Sequence, residues 1–168
     1  MNTQTFEERV RAAMIEAYWD EVRDDISLNN FDSTLSIINE IRDRICLFAP
    51  TRNDLHHEIH ENIDVDYMKQ MIDHNAITPE YIYKVVNYII SQIKRFGALQ
   101  DEPWNEVWRE QINKRLSDSE PLKTFFPIFF HECFHRIEKI EQEIKLFKES
   151  DIYKEIKRRN DEKLNNSA

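Results

Sequence analysis

The five residues from His131 to His135 have the sequence HECFH and match the pattern H-E-x-x-H. On a helix this spacing places two imidazoles one turn apart on one face, where they can hold Zn²⁺. The glutamate between them, Glu132, would then act as the general base for a zinc-bound water. The motif therefore raises the alternative that the chain is a zinc-dependent hydrolase.

The residues around this motif favour an ordinary polar helix face over a metal centre. At about 100° per residue, most apolar residues from Phe130 to Phe147 fall on one side of the helix and both histidines fall on the other. Catalytic zinc takes three protein ligands, and no histidine follows His135. Glu155 is the candidate for the third, but a continuous helix would place it about 36 Å from His131. We therefore predict no enzyme, no catalytic residue and no cofactor, with His131, His135 and Glu155 as the metal ligands of the alternative.

Three other patterns could do chemistry, and each has a simpler structural interpretation. HHEIH at 56–60 has its glutamate in the wrong position for the zinc motif and fits the flank of a short amphipathic helix. Trp104 and Trp108 are one turn apart and could stack on bases, but a core position is favoured. The basic stretch 154–163 also contains acids, which favours a solvated helix face. Nucleic-acid binding through Lys154–Arg159 and the tryptophans is the second alternative.

Charge is unevenly distributed along the 168 residues, whose net charge is −9. Residues 1–80 have a net charge of −10, whereas residues 81–168 have a net charge of +1. An acidic half repels phosphate backbones, which argues against nucleic acid as the main ligand. We predict instead that acids in this half contact a protein partner of unknown identity, with self-association left open. The predicted contact residues are Asp20, Glu21, Asp24 and Asp25.

The amino-acid composition limits the possible fold classes and the possible cellular compartments. The single glycine, Gly97, argues against barrels, sandwiches and phosphate-binding loops, which need glycine where φ is positive. Cys46 and Cys133 are far apart in a chain without a signal peptide, which predicts reduced thiols and an intracellular, mainly cytoplasmic location with the nucleus as alternative. The longest apolar run, FFPIFF at 125–130, is too short to span a bilayer and fits a core segment.

Helix signals recur along the chain with short polar breaks between them. Capping boxes are predicted at Thr5 and Glu8 and at Thr51 and Asp54. The first box precedes a helix whose inward face is predicted to consist of Phe6, Val10, Ala13, Met14 and Ala17.

The most apolar helix pattern begins after Thr78-Pro79 and ends at Gly97, and we place this helix at the centre. A longer pattern runs from Leu122 toward Phe147, with Pro127 predicted to kink or restart it. The sequence thus predicts an all-α fold: residues 1–168 as a single-domain bundle of about seven to eight helices.

The middle of the chain resembles the T-complex protein 11 family of eukaryotes. The resemblance covers about residues 17–102 and fades through about 145, and family members are usually much longer. Matching positions are a proline-basic turn, a helix start with a later lysine-glutamine pair, and a short turn: Pro50, Thr51 and Arg52; Ile63, Asp64, Lys69 and Gln70; Asn75, Ala76 and Ile77. The segment Phe96–Asp101 departs from the family pattern, because it keeps the acid but lacks an arginine and a proline.

This resemblance implies a non-catalytic helical protein that modulates signalling linked to cyclic AMP and protein kinase A. It supplies no catalytic residues, and HECFH is not a family feature. The function predicted from the sequence is therefore a protein-protein interaction module.

Overall fold

The computed structural model describes residues 5–167, which are helical along most of their length. They form eight α-helices, with a 3₁₀ turn at Leu99–Asp101 between the fifth and sixth. The bounds are α1 Phe6–Ser27, α2 Asp32–Cys46, α3 Asn53–Asn62, α4 Val65–Asp73, α5 Pro79–Phe96, α6 Glu102–Ser117, α7 Leu122–Glu149 and α8 Asp151–Asn166. No strand occurs in this part of the chain. The predicted all-α, single-domain bundle is confirmed.

Local hydrogen bonds at the helix ends explain one predicted boundary and correct another. At the start of α1, the Glu8 N–H donates to Thr5 Oγ1 at 3.2 Å, and the Thr5 N–H donates to Glu8 Oε2 at 2.8 Å. This is the predicted capping box. The box predicted at Thr51 and Asp54 is wrong, because the N-cap of α3 is Arg52, which makes no side-chain capping bond. Asp54 instead accepts two hydrogen bonds from the Arg52 guanidinium.

The core is organised around α7, which packs mainly against α1, α2, α5 and α8 and also contacts α6 through side chains. Its phenylalanines form two stacked pairs, with ring centroids 5.7 Å apart for Phe125 and Phe129 and 5.3 Å apart for Phe126 and Phe130. All four rings are buried, so the FFPIFF segment belongs to the core, as predicted. The helix continues through Pro127. The helix α5, which was predicted to lie at the centre, packs against α2, α6 and α7. Its buried residues are Val85, Val86, Ile89, Ile90, Gln92 and Ile93.

The first helix departs most from the prediction. The side chains of Phe6, Val10 and Met14 were expected to face inward, but they are 75%, 41% and 69% exposed. Only Val22 and Ile26, near the C-terminal end of α1, are buried. Apolar periodicity identifies the face of a helix that prefers burial, but it does not show that another helix covers that face.

The last helix, α8, begins directly after Ser150, whose backbone is extended and ends α7. The Ser150 side chain caps α8, because its Oγ accepts a hydrogen bond from the Tyr153 N–H at 3.3 Å. The rings of Phe147 and Tyr153 pack at 5.5 Å across this break, and no residue of α8 is fully buried. Among the helices of residues 5–167, none combines the length and the apolar character needed to cross a membrane.

Candidate functional site

The HECFH motif lies in the middle of α7, and two of its polar residues, Glu132 and His135, contact the neighbouring helix α6. Trp108 Nε1 donates to Glu132 Oε2 at 2.6 Å. The His135 ring packs edge-on to the Trp104 ring, with centroids 6.0 Å apart, and both histidines are exposed. The carboxylate that a zinc hydrolase would need as its base therefore accepts a hydrogen bond in the α6–α7 interface.

Next to the motif, Arg136 is held in an aromatic sandwich that the sequence analysis did not identify. Its guanidinium carbon lies 3.9 Å from the Trp104 ring centroid and 4.0 Å from that of Trp108. Its Nε donates to Asn105 Oδ1 at 3.0 Å, and the side chain is buried. Burial lowers the pKa of Arg136, and the nearby Glu132 partly reverses that shift. The sequence contains one feature that could have indicated this contact. Arg136 follows Glu132 by one helical turn and lies beside the apolar side of α7.

This sandwich also corrects the core position predicted for Trp104. Trp108 is buried, as predicted, whereas Trp104 is 40% exposed. Trp104 covers the arginine on its outer side, so that the α6–α7 contact is aromatic and charged where the sequence suggested an apolar core. With Trp108 buried, the pair does not form an open platform for base stacking.

The third metal-ligand candidate, Glu155, is occupied by other partners. Its carboxylate accepts from Arg158 Nη2 at 2.8 Å and from Arg159 Nε at 2.9 Å. These two hydrogen bonds lower the pKa of Glu155 to about 2. Within residues 5–167, no group of three or more histidine, cysteine, aspartate or glutamate side chains is arranged to hold a metal ion. His131 and His135 thus come together without a third ligand in the described part of the chain.

The same ion pairs bear on the basic stretch of α8. Arg158 pairs with both Glu155 and Glu162, and Arg159 pairs with Glu155. These carboxylates offset the arginine charges on the face that a nucleic acid would contact. The arrangement gives no support to the nucleic-acid alternative.

The HHEIH stretch has a local structural role. The Nε2 of His56 lies 2.9 Å from the carbonyl oxygen of Cys46 and 2.8 Å from that of Ala49, so its N–H ties the start of α3 to the end of α2. His57 Nε2 lies 3.0 Å from Glu61 Oε1 on the exposed side of α3. These contacts agree with the predicted helix-flank interpretation.

The exposed face of α1 forms one wall of an open groove of about 1040 Å³, here called the α1 groove. The groove is also lined by His131, Phe134, His135 and Glu138 of α7 and by Glu40 and Arg44 of α2. The wall from α1 runs from Phe6 to Trp19 and is mainly apolar. The two histidines of HECFH therefore border a wide, open groove, which does not provide the closed surroundings of a catalytic metal.

The four predicted partner-contact acids lie at the other end of α1. Asp20 pairs with Arg23, and Asp25, which is half-buried, accepts a hydrogen bond from Ser33 Oγ at 3.2 Å. Glu21 and Asp24 are exposed, and neither forms an ion pair within the described residues. Two of the four acids are thus available to a partner without breaking an existing contact.

Comparisons with known proteins identify the kind of chain this is. A family model described as T-complex protein 11 matches residues 1–147. The T-complex protein 11 homolog of Homo sapiens is 31% identical over 85 residues, which are 49% of this chain and 17% of that protein. The match thus covers less than a fifth of that relative's length. No solved structure matches the chain.

Proposed function

This chain belongs to the T-complex protein 11 family, and we propose that it is a non-catalytic module that binds another protein through α1. The family is not a known family of enzymes. The observation that supports the proposal is the uncovered apolar face of α1, where Phe6, Val10 and Met14 are exposed beside the α1 groove. Apolar patches rimmed by polar side chains are typical of protein contact sites.

The charge on the same face indicates the chemistry of the partner. At about 100° per residue, Glu21 and Asp24 project within about 60° of the direction of Phe6. The exposed side of α1 is therefore apolar in its first half and acidic in its second half. An amphipathic helix with apolar anchors and a basic end complements both halves, since grooves recognise such helices through spaced apolar side chains and opposite charge steers their approach.

A peptide-selection experiment tests this proposal directly. The purified chain is presented with a displayed library of helical peptides in which the apolar anchors and the sign of the charged residues vary. We expect basic amphipathic peptides to be enriched. The double variant Glu21→Lys/Asp24→Lys should weaken their binding about tenfold or more at low salt, with a smaller difference at high salt. The variant Met14→Glu should weaken binding at both salt concentrations.

The matched control is Glu110→Lys/Glu149→Lys, which changes the net charge by the same amount at two exposed acids on α6 and α7. Equal affinity of the test and control charge variants would exclude the acidic half of α1 as the contact surface. Enrichment of acidic or uncharged peptides would refute the proposed partner chemistry. If sedimentation shows that the free chain dimerises through α1, the partner is a second copy of this chain and not a different protein.

The cellular role belongs to the same proposal. We assign the module to the modulation of cyclic-AMP and protein-kinase-A signalling on the basis of its family, and to the cytoplasm on the basis of its two free, buried cysteines. Protein kinase A activity in cells that express the chain or its Glu21→Lys/Asp24→Lys variant measures the first assignment. If kinase activity is the same with and without the chain, that role is wrong. Imaging of a tagged chain tests the cytoplasmic location.

A further inference from the structure

A second cavity lies between α2, α4, α5 and α7 and shares no lining residue with the α1 groove. Its volume is about 260 Å³, and its lining includes one residue from the turn after α1 and one from the turn after α4. These are Asn29 and Asn75, both with positive φ (59° and 50°).

The lining of this cavity excludes charged ligands. None of its residues is an aspartate, glutamate, lysine, arginine or histidine. Most of the wall is aliphatic or aromatic and extends down to the buried rings of Phe129 and Phe130. An ion in such surroundings would lose its hydration without gaining a partner, which costs several kcal/mol or more.

One polar group in the wall lacks a partner. Thr34 lines the cavity, is 3% exposed, and its Oγ1 forms no hydrogen bond within the described chain. Buried polar atoms in folded proteins are nearly always hydrogen-bonded, so an orphaned hydroxyl in a cavity wall marks a position where a ligand group can bond. This observation separates the cavity from an ordinary packing defect.

We propose that this cavity binds an uncharged, mainly apolar small molecule whose single polar group hydrogen-bonds to Thr34. The size of the ligand follows from the volume: an apolar cavity of about 150 Å³ holds benzene, so 260 Å³ accommodates a bicyclic ring or a medium-length alkyl chain. The site does not depend on the protein-binding function proposed for α1.

Three matched probes test the proposal by NMR titration of the full chain: naphthalene, 2-naphthol and 2-naphthoate. We expect 2-naphthol and naphthalene to shift the methyl signals of cavity residues such as Ile38, Val86 and Ile89, and 2-naphthoate to leave them unchanged. Because one hydrogen bond is involved, 2-naphthol should bind about two- to tenfold more tightly than naphthalene. The near-isosteric Thr34→Val variant should abolish that preference while it still binds naphthalene.

A second variant, Val86→Phe, adds volume to the wall and should weaken the binding of both neutral probes. Far-UV circular dichroism checks that each variant is folded, and the wild-type titration is informative even if one variant does not fold. Three results would overturn the proposal: no cavity shifts with either neutral probe, equal binding of 2-naphthoate, or shifts confined to residues of the α1 groove. An unchanged preference for 2-naphthol in Thr34→Val would remove the role assigned to the hydroxyl.

Discussion

Replacement of Arg136 by methionine should destabilise the bundle more than any comparable change to an exposed arginine. Methionine keeps the length and apolar character of the stem but removes the planar cation from between Trp104 and Trp108. The substitution also removes the donor to Asn105, which is itself buried. The charged sandwich and the hydrogen bond are thus tested together.

The magnitude follows from the contacts. Each cation–aromatic contact contributes about 0.5–2 kcal/mol, and both rings lie within 4.0 Å of the guanidinium carbon. Leaving the Asn105 oxygen unpaired costs about 1–3 kcal/mol. The burial cost of the charge, which disappears with it, offsets part of this sum. We expect the free energy of unfolding to fall by about 2–4 kcal/mol.

Urea unfolding followed by far-UV circular dichroism measures this loss without relying on tryptophan emission, which the substitution would change locally. Arg136→Lys keeps the charge but loses the flat stacking geometry, so we expect an intermediate loss. Arg109→Met is the control, because Arg109 lies on the exposed side of α6 and pairs only with Glu106 in the described chain. If Arg136→Met and Arg109→Met lose the same stability, the sandwich does not stabilise the fold.

Two further predictions concern metal and pH. Protein purified without a histidine tag should contain no stoichiometric zinc, and His131→Ala should change neither metal content nor stability appreciably. If the protein contains one equivalent of zinc and His131→Ala loses it, the hydrolase alternative is supported. Burial raises the pKa of the Cys133 thiol well above its ordinary value, so the thiol ionises earlier in the unfolded chain than in the folded one. Stability should therefore fall as the pH rises above about 8.5, and Cys133→Ala should show a shallower fall between pH 8 and 10; parallel curves would contradict this.

Much of the fold could be predicted because the necessary information is local. Thr78 accepts from the Tyr81 N–H at 3.2 Å, and Pro79 starts α5, as the Thr-Pro dipeptide indicates. Asn75 adopts the left-handed conformation that ends its helix region. These features depend on neighbours within four residues, so they could be recognised without tertiary contacts.

The candidate site could be predicted only in part. The expectation that HECFH occupies a mainly polar face held for His131 and His135, but Glu132 turned out to be half-buried against Trp108. The Arg136 sandwich was missed because it requires α6 and α7 to lie side by side, and no local spacing reports that arrangement.

The sequence by itself determined that this chain is helical, where most of its helices begin and end, and which family it belongs to, since all three depend on short-range patterns or on extended similarity. Tertiary structure alone decided which apolar faces are covered. Both α1 and α7 have apolar residues at helical spacing, yet α7 is surrounded by other helices while the first half of α1 borders an open groove. The physical reason is that burial belongs to a pair of surfaces, and a periodic pattern describes only one of them.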